Sequence, residues 1–584
     1  MSLSPSGRAR MRVCVVAVLA CMGVSSAASA QCPSVIRVPQ DAPSINAAVA
    51  QVCANTAAEI VVGPGTWPAY VQPPAGSSVV VRGVDRATTT ITPSGPNGRF
   101  TGITSAFVSE RVRFVDAKLQ GPGGDNYEWR VSFTRSDVVG CANSFFPEGA
   151  SVEDTRFIDC ASGSGAWGTL YMQKRGDVLR CQFIRCLRPL TAWGAQGLNR
   201  HLIQDCEFVD CQGAVQVFAQ TRIERGTFRD TGDISRRAIF ADIEAQGSTA
   251  DPSVELAGCT FTGIGLAGGS PGGAVRIEGD CSATIANSTF TDCRGTDGGA
   301  VSVDNCDLAV SGCDFVGNAA QYGGALHGSF ARFEIADSTF NANIATAPFF
   351  GAGGAIEVVL GTAVIEDCSF VGNRAPNGSG GAISGNNLNF KYYDDMPFRI
   401  TGSAFEGNHA AWYGGAVFIR LANTEGIGIF DSEFEGSTAL AGNDVTLDSV
   451  DHEIAMSGCT VRASGSAVAL KVISTSQSHR GLRVSGSTIC GMAATPFGSQ
   501  VSDGGGNCVV QSCADSDNNG IPDACQCRGD ITGNGLIDGI DLAIILSAWG
   551  STGQTEFDAD IDNDGIVGGT DLAFVLSGWG PCPD

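Results

Sequence analysis

An aliphatic residue, a phenylalanine five positions later and an Asn or Cys three beyond it recur along this chain. Phe157, Phe183, Phe208, Phe228, Phe261, Phe290, Phe315, Phe340, Phe370, Phe405 and Phe434 are the anchors, 20 to 35 residues apart. Five before them stand Val152, Val178, Ile203, Ile223, Leu256, Ile285, Val310, Ile335, Ile365, Ile400 and Ile429. Three after them come Cys160, Cys186, Cys211, Cys293, Asn318, Asn343, Asn373 and Asn408. From residue 272 a second phrase joins in, Gly-Gly-Ala followed by Val275, Val301, Leu326, Ile356, Ile383 or Val417. A period of this length marks a solenoid whose repeats bury their apolar side only by stacking. The apolar runs are short and alternating, are broken by Gly, Asn, Asp and Ser, and lack a 3.6-residue period. Three short strands per coil follow, with Phe above Phe, Ile above Ile, and Asn above Asn at corners that tolerate left-handed backbone. The fold class predicted is all-β, a parallel β-helix of roughly fifteen coils and about 70 Å at the spacing of stacked strands.

The pairing of Gly-Gly-Ala-Ile with Phe-x-x-Asn resembles the repeats of bacterial polymorphic outer-membrane proteins and related right-handed parallel β-helix proteins. The resemblance is full over residues 270–420 and is carried earlier by the Phe phrase alone. Near the start, Ile60-Val61-Val62-Gly63-Pro64-Gly65-Thr66-Trp67 and Val79-Val80-Val81-Arg82-Gly83 are similar to the first coil of pectin-lyase-like proteins, with Trp67 in a packing position. An N-terminal capping helix beginning near Pro43, with Ser44 as N-cap, would cover the open end of the solenoid.

Residues 1–30 read as a secretory signal: Arg8, Arg10 and Arg12, then an apolar middle, then Ala28-Ser29-Ala30 before Gln31. The rival reading is a lipoprotein box at Val18-Leu19-Ala20-Cys21, with anchoring through Cys21. No later stretch has the ~20 apolar residues of a membrane span. The chain is therefore expected to be secreted, extracellular or at the cell surface. Export makes disulfides available to the 21 cysteines that follow the signal. Coil register puts Cys281 beside Cys306, Cys181 beside Cys206 and Cys186 beside Cys211, either as disulfides or as a buried thiol ladder. Cys490 with Cys508 and Cys527 with Cys582 are further candidate pairs. Net charge is −24, from 36 bases and 60 acids, and excludes nucleic acid as a partner.

The pectin-lyase resemblance raises the question of enzymes. The polygalacturonase motifs are missing: none of His201, His327, His409, His452 and His479 has Gly on both sides, and the one Asp-Asp, Asp394-Asp395, lies in an insertion. The pectin esterase pattern is missing as well. Residues 384–399 interrupt the repeat with a polar and aromatic run in which Lys391, Asp394, Asp395 and Arg399 offer acid–base chemistry and Tyr392 and Tyr393 offer sugar contacts. A tolerated surface insertion is the other reading. Trp167 and Trp193, each ten residues after a Phe, are expected as stacked neighbours on an outer face, in the position of Ala300 and Ala325. They make either a sugar platform or the cover of a nearby loop.

From residue 513 the composition changes to 13 acids and a single base, Arg528. Asp515, Asp517, Asn519 and Asp523 resemble one thrombospondin type 3 calcium repeat, flanked by Cys513 and Cys525. Two loops thirty residues apart follow. The first offers Asp530, Thr532, Asn534, the Leu536 carbonyl, Asp538 and Asp541; the second offers Asp560, Asp562, Asp564, the Ile566 carbonyl and Asp571, with Gly568 at the ninth position. Oxygen ligands at this spacing, with Gly at the sixth position, suit Ca2+. Each loop opens an apolar-striped helix containing Leu542, Ile545, Leu546 and Trp549, or Leu572, Val575, Leu576 and Trp579. The pair resembles a type I dockerin, which implies a small α-helical calcium module and a cohesin-like or cell-surface docking partner. Gly539-Ile540 and Gly569-Thr570 depart from the paired Ser/Thr of that family's recognition positions.

The expected domains are the signal at 1–30, the β-helix at 31–512, a calcium-binding linker at 513–526 and the dockerin-like module at 527–584. The expected function is an exported, calcium-binding β-helix scaffold or adhesion protein that binds polysaccharide. The alternative is a dockerin-bearing polysaccharide lyase or glycoside hydrolase.

Overall fold

The computed structural model describes residues 32–94, 106–115, 131–140, 144–146, 151–160, 169–172, 176–193, 200–229, 238–242, 253–265, 273–347, 352–388, 398–422, 426–463, 468–473, 481–491, 500–515, 521–522, 525–552, 559–562 and 564–582. The signal region and Cys21 lie outside them.

Stacking of the Phe anchors is what closes the coils. Parallel pairing places each anchor on the next, from Phe157 to Phe434 without a break in register. Ring centroids are 4.6 to 5.0 Å apart and the planes agree within 8°. The anchors are fully buried, and the aliphatic column five residues earlier pairs in the same order. Among the described residues eighteen strands stack in the Phe sheet, against the roughly fifteen coils expected. The column runs on through Trp67, Ile91, Phe114 and Val138 before the first Phe repeat, and through Val461, Ile489 and Val509 after the last. Phe315→Ala would remove one ring from the middle of this stack. The expected cost is about 3–5 kcal/mol for a buried Phe, with a further contribution from two lost ring pairs. Urea denaturation of the rod checks it, and a loss below about 1 kcal/mol would show that the stack relaxes around the gap.

The Asn column has a different cause from the one expected. Asn318, Asn343, Asn373 and Asn408 are fully buried and lack the left-handed backbone, which falls one residue earlier at Gly317, Ala342, Gly372 and Gly407. Their amides form a ladder: Asn318 Nδ2 donates to Asn343 Oδ1 at 2.9 Å, Asn343 to Asn373 at 2.9 Å and Asn373 to Asn408 at 3.0 Å. Each also donates to an anchor carbonyl, as Asn318 does to Phe290 O at 3.0 Å, so no buried amide is left unpaired. At the Gly-Gly-Ala corners the backbones nearly touch. A Cβ on Gly324 would lie 2.0 Å from the Gly354 carbonyl, and Gly323 has a φ of +58°, so neither position accepts a side chain.

The predicted α1 forms over Ile45–Val49, with Ser44 Oγ accepting the Ala47 N–H at 3.1 Å. Cys281 pairs with Cys306, and Cys527 with Cys582, as the sequence suggested. Cys32 pairs with Cys53. The expected Cys490–Cys508 bridge does not form, because register sets Cys508 beside Thr488. Cys490 binds Cys513 instead, and Cys508 binds Cys525. Cys181, Cys206, Cys186 and Cys211 are free buried thiols. They donate to carbonyls of their own and the preceding coil, Cys206 to Val178 O at 3.4 Å and Cys211 to Phe183 O at 3.3 Å. Ser288, Ser338, Ser403 and Ser432 fill the Cys206 position on other coils, so these thiols act as small corner donors. Burial pushes Cys259 up to about 11 and Cys368 up to about 12, which keeps them protonated and unreactive.

Candidate functional site

The C-terminal module gathers carboxylates because its loops have little else to order them. Asp560 Oδ2 accepts the Gly565 N–H at 2.9 Å, Asp562 Oδ1 accepts the Asp564 N–H at 3.1 Å, and Asp564 Oδ1 accepts the Ile566 N–H at 2.9 Å. One oxygen from each of these three carboxylates lies within 4.8 Å of the others. Asp560 Oδ1 is buried with no hydrogen-bond partner. Three converging anions and an orphaned carboxylate oxygen fit a hard divalent cation with oxygen ligands. Asp571 is 1 % exposed and ties the loop to the following helix, accepting from Ile561 N at 2.7 Å and Gly568 N at 2.7 Å. In the first loop Thr532 Oγ1 bonds Asp530 and Asp541, both at 3.1 Å, and Asn534 Oδ1 accepts the Leu536 N–H. Asp538 caps α2 by accepting the Ile540 N–H at 2.7 Å. Cys527 and Cys582 lie close to Asp530, but their disulfide removes them as thiolate ligands. Asp515 is half-buried, while Asp517, Asn519 and Asp523 lie outside the described residues.

α2 spans Gly539–Ala548 and α3 spans Gly569–Ser577. Their stripes divide. Ile545 and Val575 form the module's core with Ile537, Ala559 and Val567, and Leu542 and Leu572 pack against it. Leu546, Trp549, Leu576 and Trp579 remain more than half exposed, at 56, 51, 55 and 52 %. The sequence repeat thus leaves one apolar pair per loop–helix unit facing outward.

On the rod, the residue that follows each Gly-Gly-Ala-aliphatic phrase faces away from the core. Register makes one column of Arg276, Ser302, His327, Glu357, Ser384 and Phe418. The next outward column holds Asp304, Ser329, Val359 and Asn386. Asp297 and Tyr322 overhang both from the glycine corner, where the Gly298 N–H donates to the Tyr322 carbonyl at 2.8 Å. All of these except Ser384 and Phe418 line a groove of about 510 Å³. His327 Nδ1 and Glu357 Oε2 are 3.3 Å apart. Glu357 is 2 % exposed: burial pushes its carboxyl up and the charge of Asp297 adds to this, against the pull of His327. The Tyr322 ring, 37 % exposed, stands 6.3 Å from the His327 ring. Three coils along the same corner lie Tyr413 and the exposed Trp412, whose indole N–H is fixed on Asn377 O at 3.1 Å.

Trp193 does not stand in the register position expected from sequence. Leu170 pairs with Leu190, Met172 with Ala192 and Trp193 with Phe218, while Trp167 lies outside the described residues. Trp193 shares a column with Asp304, four residues past Ala300, and Ala300 and Ala325 are fully buried. Counting from Phe failed because the corner between the strands varies in length. Trp167, Lys391, Tyr392, Tyr393, Asp394 and Asp395 lie outside the described residues, and the Arg399 guanidinium rests over the Phe430 ring at 5.1 Å. The groove residues were missed, although reading the slot after each glycine phrase in turn would have exposed His327 and Glu357.

Residues 227–395 match the family model of the right handed beta helix region, and residues 528–577 match that of the dockerin type I domain. No curated protein matches the chain. Among solved structures, the catalytic domain of a GH87 alpha-1,3-glucanase is 11 % identical, covering 65 % of this chain and 71 % of its own, with a TM-score of 0.34. A GH87 alpha-1,3-glucanase from Streptomyces thermodiastaticus is 12 % identical, with 78 and 64 % covered and a TM-score of 0.26. A mannuronic acid specific polysaccharide family 6 lyase from human gut microbiota is 11 % identical, with 77 and 85 % covered and a TM-score of 0.27. Similarity this low carries no argument about activity. The chain joins a right-handed β-helix region to a C-terminal type I dockerin domain.

Proposed function

We propose that this is an exported protein attached through its calcium-folded dockerin module, which holds a polysaccharide chain along the glycine-corner groove of its β-helix. The observation that carries the reading is the duplicated outward pair, Leu546 with Trp549 and Leu576 with Trp579, on a module whose loops gather carboxylates. Large apolar side chains repeated on a small exposed surface suit burial against a partner, and Trp is the residue most often dominant in such contacts. The partner is a cohesin-like domain. Ca2+ suits the loops because the donors are carboxylates, amide oxygens and carbonyls. Tyr322 and Trp412 supply aromatic faces about three coils apart for sugar rings, and polar groups between them supply hydrogen bonds to hydroxyls.

The test is retention of the full chain on immobilised cohesin domains with calcium. Trp549→Ala combined with Trp579→Ala should weaken it at least about 100-fold, since buried aromatic anchors each carry about 2 kcal/mol or more. Unchanged retention in the double variant, or none by the parent on any cohesin, would remove the docking reading.

A further inference from the structure

Holding a sugar chain does not call for a carboxyl group buried with a histidine as its side-chain partner. Glu357 is such a group, and its side-chain hydrogen bond goes to His327. Serine occupies the same column at Ser302 and Ser384, so packing of the coils imposes no acid there. Burying a carboxyl costs stability, and such costs persist where chemistry uses them. Arg276, at the groove's end, is already paired with Glu278 at 2.5 Å. Asp297, Asp304 and Glu357 make the lining acidic, which turns away anionic polymers and leaves neutral ones.

We infer that the groove is a hydrolytic site for a neutral polysaccharide, with His327 as general acid, Glu357 as its positioning residue and Asp297 as general base. The inference rests on the glycan-holding reading above. His327 Nδ1 is engaged by Glu357, and no described residue bonds Nε2, the ring nitrogen left for substrate. In the step, the Nε2 proton passes to the glycosidic oxygen as the bond from the anomeric carbon to that oxygen breaks. Water adds its oxygen to the anomeric carbon and gives one proton to the Asp297 carboxylate. Solvent then carries that proton from Asp297 back to His327, which restores both groups. The Glu357 carboxylate holds the ring in place and stabilises its protonated form. A proton donor and a proton acceptor lining one groove are the arrangement such catalysis needs.

The experiment uses the full exported chain with calcium and a panel of neutral glucans, xylans and mannans. Reducing-end release is followed alongside retardation in gels containing each glycan. Release is expected on at least one polymer. His327→Ser, a residue the column already carries, should lower kcat by about 100-fold or more, far beyond any change in retardation. Glu357→Gln keeps the shape but withdraws the charge favouring protonated His327, so the alkaline limb of the pH profile should move to lower pH. Release that survives His327→Ser, or an unmoved limb in Glu357→Gln, would overturn the assignment. Retardation without release by the parent would overturn hydrolysis and leave the glycan-holding reading standing. Neither retardation nor release on any polymer would overturn both.

Discussion

EDTA, or Asp560→Ala, should abolish the cooperative unfolding of the C-terminal module and leave that of the rod in place. Among the described residues the module's core is Ile537, Ile545, Ala548, Ala559, Val567 and Val575. A core of that size contributes too little to hold about fifty residues by itself. Its acidic loops oppose folding when no cation is bound, since Asp560, Asp562 and Asp564 converge within 4.8 Å. A site binding calcium at micromolar strength gains about 4 kcal/mol at a thousandfold excess of the ion, which is comparable with the whole stability of a small domain. The Cys527–Cys582 bridge limits how far the ends separate but supplies no apolar burial. The rod has its own core and no described residue of its Phe or Ile columns belongs to the module. Thermal scans of the full chain with and without calcium check this. A module transition indifferent to EDTA would show that the loops fold without a cation.

Asp444→Ala should stabilise the rod at neutral pH. Asp444 stands where earlier coils place Ala325, Ala355, Ala382 and Ala416, and its carboxyl is 1 % exposed with neither oxygen hydrogen-bonded. Burial pushes it up to about 8, which the neighbouring Ser437 hydroxyl only partly opposes. In the unfolded chain an Asp titrates near 4. Below that value both states are protonated and the full stability is present. As pH rises from about 4 to about 8 the unfolded state ionises while the folded state does not, and stability falls by about 1.4 kcal/mol per unit. The loss reaches roughly 5 kcal/mol by the upper end. The Ala variant lacks this loss, so its urea midpoint should exceed the parent's at pH 7.5 and approach it at pH 4. An equal difference at both pH values would mean that shape, not charge, separates the two residues.

The sequence by itself determined the elements whose residues repeat. Because a stacked coil must bury the same face as its neighbour, Phe157 to Phe434 and Val152 to Ile429 could be assigned inward from spacing alone, and the paired loops after Asp530 and Asp560 announced a cation module. Cys281 beside Cys306 followed from the same register. Tertiary structure decided whatever depends on corners, since these vary in length and break counting from the anchors. That is why Trp193 lies beside Phe218 and outside the Ala300 column, and why Cys490 meets Cys513. It also divided each dockerin helix into Ile545 or Val575 inside and Trp549 or Trp579 outside, because two short helices of ten and nine residues can bury only one stripe against each other. The groove was the least legible feature. His327 and Glu357 are 30 residues apart and belong to no local motif. Parallel stacking places the same slot of successive coils about 4.8 Å apart, and only that contact turns two isolated polar residues into a pair.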